Sequence, residues 1–142
     1  MGQSFPTDTI KNFSLTYEIT YPLPMSKLVI KIRNDGSSNL LFKVRNNETK
    51  IFDTISYKTI KSDFNTFRQV KETILELSNG LNDEIINDKQ TSDGGNYNLR
   101  FDYNGKSNKF NGYSRVSKDN NFAELHNFIL SFFGYFAQDY EN

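Results

Sequence analysis

The chain has 142 residues, 17 Lys and Arg against 17 Asp and Glu, no cysteine and no tryptophan, but 13 Phe and 8 Tyr. That length suits one domain with its own core, the missing cysteines exclude a disulfide scaffold and leave the redox compartment open, and the zero net charge excludes bulk attraction to nucleic acid or acidic membranes, so that only a local patch could supply it. No run approaches the roughly 18 to 20 apolar residues of a membrane span, the nearest being 128–136 with Ser131 and Gly134 inside it, and the start Met1-Gly2-Gln3-Ser4 lacks the basic and apolar regions of a signal peptide.

Residues 1–12 read as a flexible polar arm and 13–142 as a single domain. Phe13, Leu15, Tyr17, Ile19 and Tyr21 alternate with Ser14, Thr16, Glu18 and Thr20, the pattern of a half-buried strand, which Pro22 and Pro24 stop. Leu28, Ile30 and Ile32 alternate with Val29, Lys31 and Arg33; past Asn34-Asp35-Gly36-Ser37, Leu40, Phe42 and Val44 alternate with Leu41, Lys43 and Arg45. Pairing Ile32 with Leu40 and Ile30 with Phe42 needs an odd loop of three or five residues, because an even one puts lysines opposite leucines. A fourth strand follows Asn46-Asn47, with Ile51, Ile55 and Tyr57 facing inward and Asp53 breaking the alternation.

Lys61-Ser62-Asp63 predicts a helix start with Ser62 as N-cap, and Phe64, Phe67, Val70, Ile74 and Leu77 recur at helical spacing up to a C-cap at Asn79-Gly80. Residues 82–95 are polar and acidic and read as a long loop, with room for a short strand at Ile85-Ile86. From 97 to 116, Tyr97, Leu99, Phe101 and Tyr103 point one way and Asn98, Arg100 and Asp102 the other. Asn104-Gly105 between the two runs selects a type I′ hairpin. Ser117 caps a second helix whose Phe122, Leu125, Ile129, Phe132, Phe133 and Phe136 form a wide apolar stripe, while Phe128, Leu130, Tyr135 and Tyr140 lie off it and call for a cover, a dimer contact or an apolar ligand. The fold class is therefore α+β, an antiparallel sheet of about six strands with two helices packed on one face in the order ββββαββα.

Chemistry finds few recruits. There is one histidine, no phosphate-cradling glycine motif and no metal-ligand spacing, so no catalytic residue, metal or cofactor is expected. His126 reads as a capped or half-exposed surface histidine, Asp93-Gly94-Gly95 as a turn without the regular oxygen donors of a calcium loop, and the pairs Glu72/Glu76 and Asp83/Glu84 as solvated acids. Sign is more informative than any pair. The outward side of the sheet collects Lys31, Arg33, Lys43, Arg45, Arg100, Lys109 and Arg115 against Glu18 and Asp102, whereas the other acids go to helices, loops and tail. Polar outward faces are ordinary on open sheets. Arginine beside tyrosine nonetheless points to an interface, and the candidate partner-binding residues are Arg33, Lys43, Arg45, Arg100, Tyr113 and Arg115. Too few stacking aromatics accompany them for nucleic acid to be the partner.

The stretch 93–101 (Asp-Gly-Gly-Asn-Tyr-Asn-Leu-Arg-Phe), followed by Asn104-Gly105-Lys106 and by Phe122-Ala123-Glu124-Leu125, resembles the C-terminal half of many small bacterial proteins, some of them immunity proteins. The resemblance implies a non-enzymatic protein that binds a cognate toxin and covers its active site; it carries over no functional residue. The Asn, Lys and Ile usage is similar to that of exported proteins of AT-rich bacteria, which implies a periplasmic or exported mature chain. The rival expectation is an exported ligand-binding or structural domain that uses the aromatic helix for an apolar ligand or a homodimer contact.

Overall fold

The computed structural model describes residues 9–22, 25–79, 81, 84–86, 95–114 and 122–134. Arg115, the Ser117 cap, Gly80, Tyr135, Phe136, Tyr140 and most of the 82–95 segment lie outside them. Among the described residues, seven strands and two helices follow one another as β1 (Ser14–Pro22), β2 (Met25–Ile32), β3 (Ser37–Arg45), β4 (Phe52–Lys61), α1 (Phe64–Ser78), β5 (Glu84–Ile86), β6 (Gly95–Tyr103), β7 (Lys106–Ser114) and α2 (Phe122–Phe132). One sheet takes all the strands in the order β4-β3-β2-β1-β6-β7-β5, antiparallel throughout except that β5 joins β7 in parallel. The α+β class with helices on one face holds; β5 adds a strand to the expected order.

Alternation builds the core. Phe13, Leu15, Tyr17 and Ile19, Leu28, Ile30 and Ile32, and Tyr97, Leu99 and Phe101 are all buried, and they meet Phe67, Val70 and Ile74 of α1 and Phe122, Leu125, Ile129 and Phe133 of α2. Edge-on ring contacts of Phe13 with Phe67 and of Tyr17 with Phe122 place both helices against the same side of β1. Leu130 is buried and Phe128 and Phe132 pack partly against the same core, so the off-stripe residues described in α2 are covered from within.

The Asn104-Gly105 turn forms as expected, with φ of 51° and 78° and Tyr103 opposite Lys106. Asn104 also anchors the residues before β1. Its Nδ2 donates to Thr9 O at 2.9 Å, its Oδ1 accepts from Lys11 N at 2.7 Å, and its own N–H donates to Lys11 O. Residues 9–12 are thereby docked, and Ile10 is buried. From α1, the buried Lys71 adds a bond from Nζ to Ile10 O at 3.0 Å, its ammonium 4.5 Å from the Phe67 ring centre.

Four local expectations are corrected. The β2–β3 loop is odd and three residues long, 34–36, one of the two expected lengths, with Arg33 N–H donating to Ser37 O and Gly36 at φ 87°; the register is what differs, Ile32 pairing with Ser38, Ile30 with Leu40 and Leu28 with Phe42, two residues from the expected pairing with the faces unchanged. In β4 a bulge leaves Ile55 unpaired between Thr54, opposite Lys43, and Ser56, opposite Phe42. The extra residue turns the strand over, so that Tyr57, opposite Leu41, faces outward; Ile55 in the bulge and Ile51, ahead of β4, are exposed as well rather than inward. Asp63, not Ser62, caps α1, its carboxylate accepting from Thr66 N at 2.8 Å. Phe64, in the first turn, is exposed and not part of the buried stripe.

Candidate binding face

Neither described helix covers the outward side of the sheet, and the pairing registers give it an ordered layout. A middle row runs Tyr57, Leu41, Val29, Glu18, Asn98, Asn111 from β4 to β7. On one side of it lies Thr59, Asn39, Lys31, Thr16, Arg100, Lys109; on the other Thr54, Lys43, Lys27, Thr20, Asn96. Two pairs of like charges thus stand directly opposite one another, Lys27 with Lys43 and Arg100 with Lys109. Such pairs destabilise a sheet.

Each like-charge pair has partial relief. Lys27 Nζ lies 3.5 Å from Glu18 Oε2 and 4.6 Å from the Phe52 ring centre, and Arg100 grips Asp102 through Nε and Nη2 at 3.3 Å each. The Ser107 hydroxyl, then Arg100, holds the Asp102 carboxyl below the ordinary aspartate range, because both favour its charged form. Arg33 Nη1 donates to the Asn39 side chain at 2.9 Å, which brings that guanidinium onto the same face. Lys61 donates to Asp35 O at 2.8 Å, and Asp35 is itself held low by bonds from the Ser37 hydroxyl and amide.

The six residues expected to bind a partner do not form one cluster. Lys43 and Arg45 are outward neighbours on β3, whereas Arg33, just past β2 and opposite Ser37, stands at the other, loop end of that hairpin; Arg100 sits across the sheet on β6; Tyr113 occupies the β7 position opposite Asn96; and Arg115 lies outside the described residues. A shallow depression of about 350 Å³ lies between Glu18, Asn98, Arg100 and Lys109.

Two features escaped the reading of the sequence. His126 is buried, not half-exposed: Tyr17 Oη and His126 Nδ1 share a 2.8 Å hydrogen bond whose direction follows the imidazole tautomer, and Tyr17, Tyr97 and Phe122 pack around the ring. The signal was present, since Phe122, His126 and Ile129 share one helical face, and a tyrosine at the centre of the most regular strand needs a polar partner for its hydroxyl. The second is the apolar part of the middle row, Val29, Leu41 and Tyr57, which only the register brings side by side. No described helix is long and apolar enough to cross a membrane. No protein-family model matches the chain, and a comparison with curated proteins finds no match.

Proposed function

We propose that this chain is a non-enzymatic protein-binding domain whose open sheet face docks an acidic partner, and that it acts as an immunity-type protein neutralising a bacterial toxin. The observation that supports this reading is the pair of cross-strand cation contacts, Lys27 with Lys43 and Arg100 with Lys109, on a face that no described helix covers. Like charges opposite one another weaken a sheet, so their placement answers to something outside it, and a cationic face steers an acidic surface into contact and sets which surface is accepted. The buried His126 is engaged in packing and offers no exposed acid or base to chemistry. The aromatic residues described in α2 pack into or against the core, so among the described residues the apolar-ligand alternative finds less support.

The test is co-expression with a toxic domain encoded by a neighbouring gene, sought in the native genome, followed by calorimetry of the purified pair. Growth rescue, with affinity weakened about tenfold or more by Arg45→Glu together with Arg100→Glu at an unchanged melting temperature, supports the reading; each tenfold step corresponds to about 1.4 kcal/mol. Toxicity that persists beside the wild-type chain overturns immunity, and unchanged affinity in the double variant removes the sheet face from the contact.

A further inference from the structure

Resting on the binding reading above, we infer that the docking half of the open face is its β2–β3–β4 side, and that this side accepts a protein surface on which an apolar or aromatic side chain is ringed by carboxylates. The face divides at β1. Toward β7 its outward positions are Thr and Asn with the self-neutralised Arg100 and Asp102, together with Lys109, while Glu18 on β1 pairs toward Lys27. Toward β4 they carry Lys27, Lys31, Arg33, Lys43, Arg45 and Lys61, against two carboxylates at the border of that side, Glu18 of β1 at 3.5 Å from Lys27 and Asp35 of the β2–β3 loop at 4.0 Å from Lys61, which leaves it in cationic excess. Through the middle of these cations runs the apolar row. Val29 and Leu41 are half-buried where they abut one another across β2 and β3, and Tyr57 stands 71% exposed at the row's end.

A sheet face left to water alternates to polar residues; a contiguous apolar row there marks a contact surface. An apolar centre inside a charged rim is also the anatomy of a protein interface, with tyrosine among the residues that contribute most to binding. Charge complementarity then selects the partner, because a rim of cations meets acids. Contact is through the face and not by adding a strand to β4, whose ladder is interrupted by the Ile55 bulge and studded with Lys58 and Lys61. Along β2 the outward neighbours of the half-buried Val29 are Lys27 and Lys31, and on β3 Lys43 follows Leu41, so the apolar centre sits among cations. Among the described residues of this side, Tyr57 is the one exposed aromatic, too few for a ladder of stacked bases.

Full-length ¹⁵N-labelled chain titrated at physiological salt with a random glutamate–tyrosine copolymer, with poly-glutamate and with phosphatidylglycerol vesicles tests this. The expected result is at least about tenfold tighter binding of the copolymer than of poly-glutamate, with shifts at 29, 41 and 57, and loss of that preference in Tyr57→Ser and Leu41→Asn. Because Tyr57 is exposed, its variant keeps the wild-type melting temperature. Equal binding of the two polymers, or shifts confined to 16, 100 and 109, overturns the inference while leaving a cationic docking face. Vesicles binding as well as the copolymer overturn the protein partner, and binding of neither polymer overturns the underlying reading as well.

Discussion

Ile30 and Ile55 are the same residue two strands apart in one sheet, yet Ile30 is completely buried and Ile55 is 61% exposed. Around Ile30, strands β1, β2 and β6 receive both helices, and their inward Leu, Ile, Tyr and Phe side chains join one hydrophobic cluster. At the β4 end the inward positions pass to Lys58, opposite Leu40, and Asp53, opposite Val44, while apolar residues turn to solvent. Lys58 still reaches back, donating to Phe133 O at the end of α2 at 2.8 Å. Helix coverage, more than side-chain hydrophobicity, decides which part of a sheet becomes core.

The comparison breaks if the two ends respond alike to truncation. Ile30→Ala is expected to lose about 2–5 kcal/mol in urea unfolding, the transfer and cavity terms of a core aliphatic, whereas Ile55→Ala stays within about 0.5 kcal/mol. Tyrosines sharpen it. Tyr17→Phe removes the hydroxyl that bonds the buried His126 and is expected to lose about 1–3 kcal/mol; Tyr57→Phe, with its hydroxyl in water, should leave the urea midpoint where it was. The smallest effect is acid sensitivity. Asp35, Asp63 and Asp102 are each held below the ordinary aspartate value, Asp63 chiefly by the Thr66 amide and the other two chiefly by serine hydroxyls. In the folded state they stay ionised where the unfolded chain would protonate, so the stability they add is present above about pH 3.9 and drains away as pH falls below it. Urea midpoints measured down to about pH 2 should fall less steeply in Asp63→Asn than in wild type.

Much of this fold could be read in advance because its strongest signals are local. The alternation of Phe13 to Tyr21 and of Tyr97 to Tyr103 names the inward faces of β1 and β6, and Asn104-Gly105 names the turn, since those features depend on neighbours in the chain. What failed depends on partners far away. Parity admits several odd loops between β2 and β3, and the choice of residues 34–36 goes with Gly36 O accepting from Ser62 N, a contact with the far end of β4. Asp53 marked β4 as irregular, but whether an extra residue is absorbed as a bulge is settled against β3. Ser62 and Asp63 are both competent caps, and the chain's entry into α1 chose between them. The candidate site follows the same rule: outward cations could be recognised by alternation, while the facing of Lys27 with Lys43, and the assembly of Val29, Leu41 and Tyr57 into a row, belong to the register.

The place of β1 has a consequence for how the molecule comes into being. Its near neighbour β2 follows directly, but its other edge waits for β6, Leu15 lying opposite Phe101 and Tyr17 opposite Leu99. A chain emerging from the ribosome can therefore assemble the β1–β4 meander early and must carry an open ladder through its middle strand until most of its length has been made. Long-range closure of this kind slows folding and exposes strand edges on the way.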